Sequence, residues 1–324
     1  MATNLKGRSL LTLADVSSDE IQYLVELAIQ LKGLKRAGVQ QDNGRGKNIA
    51  LIFLKPSLRT RLSFVVAASD IGAHLEIFPS DDIRFGVKES VADIARVFGR
   101  MFDAIAFRGF EHETLEAMSR WAGIPVWNCL CDDYHPTQVL ADFMTVQENF
   151  GRLKGIRIAY VGDGRNNMAN TLAIGALAMG VDLRIVSPKS LQPDKKRIDG
   201  FAMGRTGLTG RVTVTDDLKT GLRDCEVVYT DVWVSMGEEA KTAQRIKVLK
   251  PYKVTADVMR MTAREDSIFL HCLPAFHDTS TQLARRRPDI CEVSDDVFEG
   301  GQSRVFDQAE NRMHTAKALM IATL

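Results

Sequence analysis

An α/β fold of two doubly wound parallel-sheet domains is predicted for this chain by three observations. Short apolar runs alternate with longer amphipathic ones from residue 47 onward. The alternation comes in two series, separated near residue 150 by the turn-like "GRLKG". The chain also has 324 residues, too many for one typical core. Alternating strand and helix patterns imply parallel sheets covered by helices on both faces.

The elements follow in order. An opening helix is expected over 17–36, then strands at 48–54, 74–78, 103–107 and 125–129. Between them lie the helical patterns "ESVADIARVFGRM" (89–101) and "ETLEAMSRWAG" (113–123). The helix "PTQVLADFMTVQENF" (136–150) forms the seam. The second series places strands near 156–161, 182–187, 211–215, 226–230 and 267–271, with the helix "NNMANTLAIGALAMG" at 166–180. A last helix, "AENRMHTAKALMIATL", ends the sequence.

Composition narrows the function classes. Hydrophobic content of 45% with 26% charge is ordinary for a globular protein. A formal net charge of +1 does not favour nucleic acid or an acidic membrane as partner. The segment "MATNLKGRSLLTLADVSSDE" lacks the apolar core of a secretory signal, and no apolar run reaches membrane-spanning length. Five scattered cysteines suit reduced thiols in a cytoplasm. Cys129-x-Cys131 lacks a matching second pair, so no metal site is expected there.

In open α/β sheets ligands bind beyond the carboxyl ends of the strands. That rule nominates the loops 55–61, 79–88, 108–110, 130–138, 162–168, 231–237 and 271–277. The first of them holds "SLRTR", with Ser57 as a candidate N-cap and Arg59 and Arg61 in the first helical turn. Positive side chains oppose the dipole there, which a bound anion would offset. A solvated basic turn fits the same residues. Arg108 follows the strand "AIAF", and His135 to Gln138 ("HPTQ") open another helix. "VGDGRNNM" has the first two glycines of a dinucleotide fingerprint, but its third position is Asn167 and no acidic residue ends the next strand. Nicotinamide binding is therefore not expected. Asn167 reads equally as a carboxylate ligand or a turn residue. Asp231 and Cys272 sit at strand tips, where an aspartate is often a cap and a cysteine often a small hydrophobe. Together they offer a carboxylate and a thiol to a crevice that also receives the arginines.

These residues resemble the aspartate/ornithine carbamoyltransferases, and within that family the ornithine-specific members. The resemblance covers nearly the whole chain, through "SLRTR", "KES", "FRG", "HPTQ…LADF", "GDGRNNM", "DVWVSMG", "HCLPAFHD" and "FDQAENRMH". "DVWVSMG" and "HCLPA" separate the ornithine enzymes from the aspartate ones. The resemblance implies a carbamoyl-phosphate-binding domain over 1–150 and an ornithine-binding domain over 151–305, with a C-terminal helix at 306–324 packing back on the first. It implies that Ser57, Leu58 (through its backbone), Arg59, Thr60, Arg108, His135, Gln138, the Cys272–Leu273 backbone and Arg312 bind carbamoyl phosphate. Asn167, Asp231, Ser235 and Met236 match the ornithine site. Cys272, Asp231 and Arg108 would carry the chemistry, without cofactor or metal. The family's trimeric assembly and a closing motion of the two domains are likewise implied.

Two departures stand out. Leu58 replaces the family's threonine in S-T-R-T-R, and "DDIRFGVKES" carries Arg84 and Val87 where glutamine and histidine are usual. In the family this second loop reaches a neighbouring subunit's site, so Arg84 would add positive charge to the phosphate end. Lineage drift is one explanation. An isoform resistant to an anionic inhibitor that mimics bound carbamoyl phosphate is another. A carbamoyltransferase acting on putrescine or an acylated ornithine, a non-catalytic subunit and an oxidoreductase are the rival functional readings.

Overall fold

The structure, a computed structural model, describes residues 3–80, 83, 85–203, 205–234 and 241–324. Two compact units divide the chain: Met1–Glu148 with Glu310–Leu324, and Asn149–Ala309. The first series runs α1 (Ser18–Arg36), β1 (Asn48–Phe53), α2 (Leu58–Asp70), β2 (His74–Pro79), α3 (Val91–Met101), β3 (Ala104–Arg108), α4 (His112–Ala122), β4 (Val126–Leu130) and α5 (Pro136–Phe150). The second runs β5 (Arg157–Val161), α6 (Asn167–Met179), β6 (Asp182–Val186), α7 (Lys195–Ala202), β7 (Arg211–Thr215), α8 (Leu218–Leu222), β8 (Val227–Thr230), α9 (Thr242–Leu249), α10 (Ala256–Arg260), β9 (Ile268–His271), α11 (Gln282–Arg286) and α12 (Asp295–Phe298). Helix α13 (Val305–Thr323) ends the fold, and from Glu310 onward it belongs to the first unit.

Every predicted strand forms within a residue of its expected ends. The inner strands are apolar runs buried on both faces, whereas the edge strands β2 and β7 are half-exposed. Strand β1 shows the effect, with Ile49 to Ile52 all at 0% exposure between two parallel partners. The first sheet has the order β2-β1-β3-β4 and the second β7-β6-β5-β8-β9, parallel throughout. Periodicity does not give strand order. The order places one topological switch point between β1 and β3 and another between β5 and β8. The loops leaving those four strands begin at Leu54, Gly109, Gly162 and Asp231, where a doubly wound sheet opens its ligand crevice.

The differences from expectation have physical causes. Helix α13 begins at Val305, not Ala309, because Val305 and Gln308 are already buried. Helix α7 was not predicted; it buries none of its residues and so has no apolar stripe to read. Helix α2 ends at Asp70, and Gly72 then turns with φ +74°.

Helix α13 is fixed in the first unit by a polar network. Asn311 donates to Thr145 Oγ1 at 2.9 Å and to Glu148 Oε2 at 2.8 Å, while Lys32 reaches Asn311 Oδ1 at 2.8 Å. Lys32 is 5% exposed and also pairs with Glu148 at 2.9 Å, so its buried charge is compensated. Trp127 is fully buried and its indole N–H donates to Thr323 at 3.1 Å. Among the described residues, no helix is long and apolar enough to cross a membrane.

Candidate active site

In the first unit the anion-binding candidates assemble around the α2 N-terminus. Ser57 is the N-cap, extended at φ −157°, and its hydroxyl accepts the Thr60 N–H at 3.3 Å. Leu58, the first helical residue, points outward at 67% exposure. Arg59 is half-buried, and its carbonyl accepts the Ser63 hydroxyl at 2.7 Å. Thr60 is fully buried, and its Oγ1 accepts from Arg312 Nη2 at 2.9 Å. Arg312 also donates from Nη1 to Gln138 Oε1 and lies 3.5 Å from His135 Nε2. One planar guanidinium thus spans three of the predicted residues.

Two further groups were not legible in the sequence. Asp142, one helical turn beyond Gln138 and 1% exposed, accepts from Gln138 Nε2 at 2.8 Å. That contact fixes which end of the Gln138 amide faces Arg312. Lys55, buried after β1, pairs with Asp132 and lies 4.2 Å over the Phe110 ring. Arg108 ends β3 beside Phe53 of β1 and is 8% exposed.

His135 is 4% exposed. Burial, with the charges of Arg312, Arg108 and Arg59, holds its imidazole well below the usual range. His314, on α13 beside Glu310, is also held low, first by burial. Both rings protonate less readily folded than unfolded, so the unfolded chain takes up protons first as pH falls. Stability should therefore be complete above the unfolded histidine pKa of about 6.5 and decline below it, by up to about 2.7 kcal/mol per pH unit for two protons. Denaturant unfolding between pH 7.5 and 5 measures this; a flat profile would contradict the burial of neutral rings.

The second unit gathers a different set. Gly162 leaves β5 at φ +147°, which favours glycine, and the chain then enters α6. Asn166, not Asn167, is the N-cap; its Oδ1 accepts the Ala169 N–H at 2.9 Å. Its Nδ2 donates to Tyr160 OH at 2.6 Å and to Asp231 Oδ2 at 3.2 Å. Asn167 is the first helical residue, half-buried. Asp231 Oδ1 accepts the Cys272 thiol at 3.0 Å and the Val232 N–H at 2.8 Å. Tyr160 is fully buried, and burial, followed by the charges of Asp231, Asp163 and Cys272, holds its hydroxyl well above its ordinary pKa. Leu273 turns with φ +58°. Arg84, Ser235 and Met236 lie outside the described residues.

The thiols divide by burial. Cys272 is half-buried and the other four cysteines are buried. Burial pushes the Cys129 thiol up to about 12 and raises Cys131 as well, so neither is a ready thiolate ligand. Asp231, His271 and Cys272 present ligand atoms within 4.8 Å of one another, as do His277, Asp295 and Glu299. In the first set, however, both His271 ring nitrogens are already in hydrogen bonds, to Leu273 N and Glu292 Oε1. Recruiting that ring to a metal would break one of them.

Residues 8–148 match the model "Aspartate/ornithine carbamoyltransferase, carbamoyl-P binding domain", and residues 154–323 match "Aspartate/ornithine carbamoyltransferase, Asp/Orn binding domain". The chain belongs to the aspartate/ornithine carbamoyltransferase family. Among its relatives is "Ornithine carbamoyltransferase 2, phaseolotoxin-insensitive" of Pseudomonas syringae pv. actinidiae, 54% identical over 99% of this chain and 98% of that one. A catabolic ornithine carbamoyltransferase of Bacillus licheniformis is 53% identical over 99% of this chain and 97% of that one. The solved ornithine carbamoyltransferase of Pyrococcus furiosus superposes with a TM-score of 0.91 at 38% identity, covering 99% of this chain and 98% of that one. The two parallel-sheet domains are therefore the carbamoyltransferase fold. Of the residues matched from the motifs, those of the first sheet sit at or just after the ends of β1, β3 and β4 (Arg312 lies on α13), and those of the second follow β5, β8 and β9.

Proposed function

We propose that this carbamoyltransferase moves the carbamoyl group of carbamoyl phosphate to the δ-amine of L-ornithine, giving L-citrulline and phosphate. The observation that carries the reading is the contact of Asp231 with Cys272 at 3.0 Å, at the ends of adjacent strands. A carboxylate and a thiol there suit a cationic amine that must lose its proton. The ornithine δ-amine has a free pKa of about 10, like lysine, so little of it is nucleophilic at pH 7. Asp231, with the Cys272 thiol donating to it, orients the amine, and its carboxylate helps receive the proton.

The amine nitrogen then bonds to the carbamoyl carbon, and negative charge grows on the carbamoyl oxygen. Arg108, His135 and Thr60 stabilise that oxygen, and a neutral His135 supplies a donor without adding another positive charge beside Arg59, Arg108 and Arg312. The carbon–oxygen bond to phosphate breaks, and the leaving group is held by the α2 N-terminus with Ser57, the Leu58 backbone, Arg59 and Thr60. Gln138, Arg312 and the Cys272–Leu273 backbone position the carbamoyl group. Asn167, Ser235 and Met236 hold the α-substituents of ornithine. Intact "DVWVSMG" disfavours putrescine or an acylated ornithine, because a diamine needs no partner for an α-carboxylate or α-amine and an acylated ornithine has no free α-amine. The chemistry serves arginine biosynthesis or citrulline breakdown alike, so the proposal is made for the reaction. Phosphate release with ornithine, aspartate and putrescine in parallel tests it: ornithine alone should respond, and a preference for either other amine would overturn it.

A homotrimer, or a multiple of one, is part of the reading. Leu58, Leu62 and Val65 form an exposed apolar stripe on α2, at 67%, 54% and 38%, which a second copy would cover. Light scattering should give three times the 36.0 kDa chain mass, and a monomer would contradict it. Five free thiols fit a cytoplasmic location, which fractionation of the source cells would check.

Resistance to an inhibitor that mimics bound carbamoyl phosphate is the second proposal, supported by Leu58, Arg84 and the phaseolotoxin-insensitive relative. Leu58→Thr restores the hydroxyl and Arg84→Gln the amide that are usual in the family at these positions. The double variant should bind such an inhibitor about tenfold more tightly, roughly 1.4 kcal/mol. Unchanged inhibition would sink the idea.

A further inference from the structure

Two ionisable groups of the second unit are fully buried and unused by the proposed chemistry: His271 and Glu292, each at 0% exposure. His271 closes β9 and directly precedes Cys272. Its ring Nδ1 accepts the Leu273 N–H at 2.8 Å, and its Nε2 lies 3.1 Å from Glu292 Oε1. A ring nitrogen that accepts a backbone N–H carries no proton, so the hydrogen sits on Nε2 and points at the glutamate. The same Glu292 oxygen accepts the Phe276 N–H at 2.7 Å. The pair therefore holds both ends of the turn Leu273–Phe276. Leu273 needs such support, since φ +58° is unfavourable for a branched side chain without it.

We propose that His271 and Glu292 are positioning residues: a buried brace that fixes the turn after β9 and so aims the Cys272 thiol at Asp231. The inference rests on the carbamoyltransferase reading only for its kinetic consequence. The brace itself concerns the protein without substrates. A thiol that donates to a carboxylate is held as the thiol, and loss of that contact eases its ionisation.

Alkylation of Cys272 by iodoacetamide reads the brace directly, because the other four cysteines are buried. His271→Leu removes both hydrogen bonds of the ring. It should speed alkylation by about fivefold through the freed thiol and lower kcat by about tenfold through the misplaced turn. His271→Asn keeps an oxygen for the Leu273 N–H and should restore most of the alkylation difference. Should His271→Leu not fold, Glu292→Leu removes the support from the other side, and Glu292→Gln, which keeps an oxygen for both donors, is its rescue. Alkylation within twofold of the wild type in a folded leucine variant would overturn the proposal. So would an asparagine or glutamine variant no better than its leucine counterpart. A wild-type protein inactive with ornithine would sink the functional reading, while the alkylation comparison would still decide the brace.

Discussion

Arg312→Leu should lower kcat/KM for carbamoyl transfer by about 1000-fold, with most of the loss in transition-state stabilisation. The side chain is 7% exposed and bonds Thr60 Oγ1 and Gln138 Oε1 at once. Leucine fills similar space but leaves both oxygens without that donor, costing about 1–3 kcal/mol of stability. It also removes a positive charge that keeps His135 neutral, so the imidazole should protonate more easily in the variant. Arg312→Lys separates charge from geometry. An ammonium cannot span the two oxygens as a fork does, so the lysine variant should still lose about 100-fold. Steady-state kinetics of both variants test this. A lysine variant near wild-type activity would show that charge alone is needed and that the network is incidental.

The second large effect is expected at Asp231. Asp231→Asn should cut kcat by about 100-fold and weaken ornithine, while KM for carbamoyl phosphate stays near the wild-type value. Removing the carboxylate takes away the anion that attracts the cationic amine, yet keeps an oxygen for the Val232 N–H and the Cys272 thiol. It also sets the new amide NH₂ against Asn166 Nδ2, which already donates to Tyr160. Asn166 cannot flip without losing its cap to Ala169. Two donors then meet, at about 1–3 kcal/mol in stability. Equal losses for both substrates, or kcat within threefold of the wild type, would remove Asp231 from the amine site.

Much of the fold was readable because parallel strands buried on both faces leave continuous apolar runs, as "NIALIF" does. The loops were readable for a related reason, since once strands are placed their carboxyl ends follow. What stayed hidden depends on contacts between residues distant in sequence. Nothing near His271 indicates that Glu292, 21 positions on, would meet its ring. Asp142 looked like one polar residue on a helix that proved buried around it. Asn166 and Asn167 are the same residue type in adjacent positions, and only the helix start decides which one caps. Helix α7 gave no signal because its stability owes nothing to an apolar face. Leu58 and Arg84 were visible as departures from a motif, whereas what Arg84 touches lies outside the described residues.

The central claim concerns which nitrogen receives the carbamoyl group. Incubating the protein with carbonyl-labelled ¹³C-carbamoyl phosphate and L-ornithine, and following the product by NMR, tests it most directly. The label should appear as a urea carbon correlated through three bonds with the δ-methylene protons of L-citrulline, with one phosphate released for each citrulline formed. Label on the α-nitrogen, or phosphate released without labelled citrulline, would contradict the assignment of Asp231 and Cys272 to the δ-amine.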